Sequence, residues 1–259
     1  VNYAFHTALL SVGMFFGIVL MLEIGRRIGE ARRARNPGVE IKGSSAAEGA
    51  VFGLLGLLIA FTFSGAAARF EDRRHLITEE ANDIGTAWLR VDLLSSGAQP
   101  GMRDLFRRYL DARLESYRHA SEPERATAEF ANAAALQQEI WSAAVAAARE
   151  PGASPDAGKL LLPALNEMID ITTTRLVATQ NHPPAAIFAM LGVLSMLGGL
   201  LIGYDQSGKS HRETVHMLVY ALIMSGAVFV ILDLEYPRMG LIRIDSADQI
   251  LLDLRSSMG

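Results

Sequence analysis

The sequence predicts an all-α integral membrane protein: four transmembrane helices, a helical extramembrane insert between the second and third, and a second span that continues as a long helix into that insert. Three observations carry this prediction. Half of the 259 residues are hydrophobic and only 20% are charged, with a mean hydropathy of +0.22. The apolar residues are gathered into four uncharged stretches, Ala4 to Leu22, Gly49 to Ala68, Pro183 to Tyr204 and Thr214 to Leu232. A hydrocarbon core about 30 Å thick takes roughly 20 such residues in a helix. Between the second and third stretches the chain is charged and rich in helix formers, with 13 basic and 17 acidic side chains from Arg69 to Pro184.

The first span occupies residues 1–22. No basic residue precedes it and no small-residue cleavage pattern follows it, so it reads as a retained span and not a signal peptide. Residues 23–48 read as a basic loop, with Arg26, Arg27, Arg32, Arg33, Arg35 and Lys42 against Glu30 and Glu40. The second span, 49–68, meets no helix breaker and is expected to continue to about Leu94. Along that extension Ile77, Ala81, Ile84, Trp88 and Val91 recur at spacings of four and three, one apolar stripe that needs a partner helix.

The helical domain comprises residues 69–182. Ser95 to Gly101 reads as a loop by composition, followed by a helix from about Met102 to His119. Ser121, Glu122, Pro123 and Glu124 suggest a capping box opening an Ala-rich helix that ends near Arg149. Pro151, Gly152, Ser154 and Pro155 break the chain before a last helix, Leu160 to Gln180, with Leu161, Leu165, Met168, Thr172 and Leu176 on one face. Spans three and four take residues 183–204 and 214–232, joined by a short loop, 205–213, and residues 233–259 form a C-terminal tail. No internal repeat is visible.

Charge and composition exclude several functions. The net charge of −4 gives no basic footprint for nucleic acid. The absence of cysteine removes disulfides, thiolate metal sites and cysteine nucleophiles together. There is no phosphate-cradling Gly-rich loop, nucleophile elbow or H-E-x-x-H helix, so the chain does not read as an enzyme, and no cofactor is called for. Short basic loops stay in the cytoplasm, which puts the 23–48 loop inside a cell (inner) membrane and the insert and both termini outside it. The loop with Lys209 and Arg212 agrees.

The candidate sites lie mostly on the second span. Gly49, Gly53 and Gly56 form a small-residue face suited to close helix packing. Alternatively Gly53, Leu57, Phe61 and Ser64 line an axis between several copies, where rings of Leu and Phe would form a hydrophobic constriction. Arg69 and Arg73, one turn apart, would then stand at the pore mouth and favour anions, or else pair with Glu71, Asp72 and lipid headgroups. Glu71, His75 and Glu79, at i, i+4 and i+8, offer a weak metal constellation or simply a solvated face of mixed charge. His211 and His216, and Asp233 and Glu235, flank the fourth span as interfacial ionisable groups.

The run from Ile59 through Phe61, Ser64, Gly65 and Arg69 to Phe70, Glu71, Asp72, Arg73 and Arg74 resembles the pore-helix signature of bacterial bestrophins. The whole chain, most recognisably Gly53 to Leu94, is similar to a bestrophin-like bacterial membrane protein family. The resemblance implies a homopentamer in the lipid bilayer that passively conducts inorganic anions such as chloride. It puts Phe61 and Leu57 in the hydrophobic neck, whereas Gly53 departs from the bulky residue expected there. It also implies a cytoplasmic helical domain, opposite to the orientation the basic loop gives. The alternative function is a non-conducting membrane scaffold or sensor that binds partners through its insert.

Overall fold

The computed structural model describes residues 3–35, 45–207 and 214–259. Glu40, Lys42, Lys209, His211 and Arg212 lie outside the described residues. The chain is all-helical, with four helices long and apolar enough to cross a membrane. It divides into two units: a membrane unit of residues 2–68 and 182–236, and a helical unit of residues 69–181 and 237–259.

In the membrane unit α1 (Tyr3–Arg35) packs along α6 (Ala185–Gln206) and α7 (Thr214–Glu235). Without a hydrophobic drive in lipid, spans associate where small residues let backbones approach. Here those residues are Gly25 and Gly29 on α1 and Gly199 and Gly203 on α6. A Cβ on Gly203 would run into the Leu22 carbonyl, and one on Gly25 into the Leu200 carbonyl. Met14, Ile18 and Leu22 pack with Met217 and Ala221 around this seam. The buried hydroxyls are satisfied locally: Ser195 donates to the Leu191 carbonyl at 2.8 Å and Ser11 to that of Thr7 at 2.9 Å.

α1 does not stop at Leu22, and the stretch expected as a loop from residue 23 is helical as far as Arg35. The residues that look like a solvated loop form a ladder of i,i+3 and i,i+4 ion pairs instead. Glu23 accepts from Arg26 at 2.7 Å and from Arg27 at 2.8 Å, and Arg26 also pairs with Glu30. Such pairs support an exposed helix. Arg32 and Arg33 then reach the Tyr204 hydroxyl (3.1 Å) and Ser207 Oγ (3.3 Å) at the end of α6.

The second apolar stretch belongs to α2 (Ser45–Arg90), unbroken for 46 residues and closed by a 3-10 turn at Val91–Leu93. The expected stripe of Ile77, Ala81, Ile84, Trp88 and Val91 is buried in the core of the helical unit. There α2 is joined by α3 (Gln99–Arg118), α4 (Pro123–Ala147) and α5 (Ala157–Gln180). α3 starts three residues earlier than its composition suggests, because a proline in the first turn is preorganised for a helix and lacks only an N–H that would go unbonded there.

The capping box at α4 is not formed. The cap position falls on Glu122, without a side-chain hydrogen bond. Pro123 is preorganised as the first helical residue, which puts the cap on Glu122 and leaves Ser121 one residue before it, out of the capping register. The face of α5 also departs from its pattern: Leu161, Leu165 and Met168 are buried, but Leu176 is 47% exposed and Arg175 takes the buried position.

Residues beyond α7 are not a free tail. Ile244, Leu251 and Met258 sit in the core of the helical unit. α8 (Gln249–Ser257) is tied to α3 by Arg255, which donates to Asp111 at 2.7 and 3.1 Å, and by Arg107 Nε, which donates to the Met258 carbonyl at 2.9 Å.

Candidate functional site

The membrane half of α2 is fastened to its own unit along one side only. Leu55 is buried, and Phe52 meets the edge of the Tyr220 ring at 6.2 Å between centroids. The opposite side is open: Gly49, Gly53 and Gly56 have no atom within 4 Å of where a Cβ would stand, so these glycines do not pack inside the protomer. Gly53, Leu57, Phe61 and Ser64, at spacings of four, four and three, are all exposed, with Leu57 at 52% and Phe61 at 68%. The sequence-predicted constriction residues therefore share one helix face.

The exposed side of this part of α2 is richer in small residues than the exposed apolar side of α1. Most exposed positions in the apolar part of α1 are bulky, among them Phe5, Leu9, Leu10, Phe16 and Leu20, with Ala8 and Gly13 the small ones. On α2 the exposed positions include the small residues Gly49, Gly53, Gly56, Ala60, Ser64 and Ala68 beside Leu54, Leu57, Phe61 and Phe63. Small residues at this density suit a neighbouring helix or a narrow polar path better than lipid tails.

Beyond the span the two arginines part company. Arg69 is partly exposed, but Arg73 is only 5% exposed. Its Nε donates to the Ala178 carbonyl at 3.0 Å and its Nη2 to that of Asn181 at 3.1 Å. A cation on the unsatisfied carbonyls at the end of a helix is favourable for both hydrogen bonding and the helix dipole. Arg73 is thus committed to α5, unlike the expectation that placed it beside Arg69 either at a pore mouth or among Glu71, Asp72 and headgroups. Steps of three and four continue from Phe61 through Ser64 and Ala68 to Glu71, His75 and Glu79, all exposed. Glu71 pairs with Arg74 at 2.8 Å and lies 3.7 Å from His75 Nε2. Among the described residues no three His, Asp or Glu side chains are grouped to hold a metal ion. Asp83, further along α2, has its pKa pushed up to about 6 by burial and by the charges of Glu79 and Glu167.

A family model described as a bestrophin-like domain matches residues 16–248, nearly the whole chain. The chain belongs to the bestrophin-like family. Solved structures of a bacterial bestrophin homologue from Klebsiella pneumoniae share the fold. One, of a point variant, has a TM-score of 0.70 at 15% identity over 94% of this chain and 99% of that one. Another, phased on zinc, has a TM-score of 0.66 at 16% identity over 93% and 98%. No curated protein sequence matches the chain significantly.

Two features of this bestrophin-like chain escape a sequence reading. Asp233 and Glu235, expected at an open interface, are 0% and 1% exposed. His182 Nδ1 lies 3.3 Å from Glu235, and its ring stacks on Tyr236 at 4.4 Å. In the helical unit Glu80, Arg113 and Arg175 are buried together. Only the alternation itself could have signalled the latter: Glu80 adjoins the buried stripe residue Ala81, and Arg175 continues the three-and-four spacing of α5. His216 is exposed at the start of α7.

Proposed function

We propose that the chain is the subunit of an oligomeric ion channel, five copies in number as the family resemblance implies, with the pore lined by α2. Leu57 and Phe61 form the hydrophobic neck, Gly53 and Ser64 flank it, and Arg69 stands at its mouth. A ring of such side chains passes ions only when it wets, so neck size sets conductance. The observation that carries this reading is the open face of α2, where glycine, alanine and serine are interleaved with Leu57 and Phe61 at a higher density of small residues than the exposed face of α1 carries. The protein lies in the inner membrane, and the basic end of α1 faces the cytoplasm.

The resemblance favours anions as the permeant species. A second reading, cation permeation, is supported by the commitment of Arg73 to α5 and by Glu71 and Glu79 on the same helix face as the neck, since carboxylate rings select cations. Ion flux into liposomes holding the purified oligomer tests the function. Leu57→Ala and Phe61→Ala are expected to raise flux several-fold by widening the neck, and the reversal potential in a salt gradient gives the sign of the permeant ion. An intact oligomer that passes neither chloride nor potassium would instead support the scaffold reading, with Gly49, Gly53 and Gly56 closing the bundle.

A further inference from the structure

The chain passes between the two units at three places: inside α2 after Ala68, between Asn181 and His182, and between Tyr236 and Pro237. Each of these passages sends one charged side chain to the same point in the helical unit. α2 supplies Glu80, α5 supplies Arg175, and the segment after α7 supplies Arg238. They meet around Tyr117 of α3. Arg113, one turn earlier on α3, holds Glu80 at 2.6 Å, and the Tyr117 hydroxyl donates to Glu80 at 2.9 Å. Arg175 also pairs with Glu80. The Tyr117 ring carries the guanidinium of Arg175 at 4.3 Å, of Arg238 at 4.6 Å and of Arg113 at 5.0 Å.

The two halves of this cluster differ in their access to water. Glu80 and Arg113 are 0% and 2% exposed, whereas Arg238 and its partner Asp248, bonded at 2.7 and 2.8 Å, are 14% and 15% exposed. Separating the inner pair strands a charge in a dry core. Separating the outer pair, which water reaches in part, costs less than stranding the fully dry one. Asp248 also offsets the Arg238 charge that presses on Arg175: burial first, and then Arg238, bring the Arg175 pKa down to about 9, so it stays cationic at neutral pH.

We propose that the Arg238–Asp248 pair is a latch. Closed, it seats the segment after α7 on the Tyr117 ring and, through Arg175 and Glu80, clamps the extension of α2. Opened, it leaves an uncompensated Arg238 beside Arg175 and loosens α2 around Glu80. Its consequence for conduction rests on the channel reading above, whereas the clamp itself does not.

Amide hydrogen exchange on the intact oligomer tests the clamp without requiring conduction. Asp248→Asn is expected to speed exchange about tenfold in residues 238–248 and also in residues 77–84, the loss of roughly one charge-assisted bidentate pair. Arg255→Met, which breaks the more exposed pair of the same segment with Asp111, is expected to loosen α8 and leave 77–84 unchanged. If Asp248→Asn does not assemble, Arg238→Lys keeps the charge, loses the fork and is expected to give the same pattern at smaller amplitude. Faster exchange at 238–248 with wild-type rates at 77–84, in either variant, would overturn the proposal, as would an Arg255→Met effect at 77–84 equal to that of Asp248→Asn.

Discussion

Glu80→Ala is expected to cost the helical unit roughly 3–5 kcal/mol, because it leaves Arg113 and Arg175 buried with no counter-charge. Glu80 is wholly buried, with Arg113 at 2.6 Å and the Tyr117 hydroxyl at 2.9 Å. Its removal takes the counter-charge from two guanidiniums and the acceptor from the Tyr117 hydroxyl, which keeps only the hydrogen bond it accepts from Arg113. The same physics predicts a much smaller effect when all three charges go together. Glu80→Leu combined with Arg113→Met and Arg175→Met is expected to restore most of the lost stability, since a well-packed apolar replacement avoids the desolvation of each ion. Both tryptophans of the chain, Trp88 and Trp141, lie in the helical unit, so thermal or denaturant unfolding followed by tryptophan fluorescence reports this unit alone. Equal destabilisation in the single and triple variants would mean that packing, not charge compensation, governs the site.

Gly203→Val is expected to break the seam between α1 and α6. A Cβ there collides with backbone atoms of Leu22, including its carbonyl oxygen. Backbone cannot rotate out of the way as a side-chain tip would. The helices must separate, and overpacking of this kind costs about 1–3 kcal/mol or more. Gly25→Val meets the Leu200 carbonyl in the same manner. Gly49→Ala is the control, since nothing lies within 4 Å of its Cβ position, and the protomer is expected to tolerate it. The measurement is the temperature at which the detergent-solubilised protein loses its monodisperse peak. It should fall sharply for Gly203→Val and Gly25→Val, and wild-type behaviour of both would show that the seam is looser than described.

The spans were legible because length and apolarity in a bilayer leave few alternatives, and the unbroken α2 because no glycine–proline signal interrupts residues 49–90. The stripe from Ile77 to Val91 was legible for the same local reason, a period of 3.6 in one helix. What failed was local chemistry with a distant partner. Gly25, Gly199 and Gly203 look no different in sequence from Gly49 and Gly53, although the first three are backbone-to-backbone contacts and the last two are open. Glu80, Arg113 and Arg175 are not singled out by the sequence, because the ion pairs that join them run between different helices. The residues from Glu23 to Arg35 read as a loop because their charges suggested an end to the span, whereas the same charges, spaced by three and four, extend the helix. Arg73 read as a mouth residue because the carbonyls that hold it, those of Ala178 and Asn181, are over a hundred residues away.

A channel of the proposed kind requires the open face of α2 to line the conducting axis. The chain contains no cysteine, so Leu57→Cys and Phe61→Cys place a single reporter thiol on that face without further engineering. In liposomes, a small charged thiol reagent is expected to change flux through both variants within the assay, and a bulky one to block it, while Leu10→Cys on the exposed side of α1 remains indifferent. If both α2 variants form intact oligomers and conduct as wild type before and after modification, α2 does not line the path and the account is contradicted.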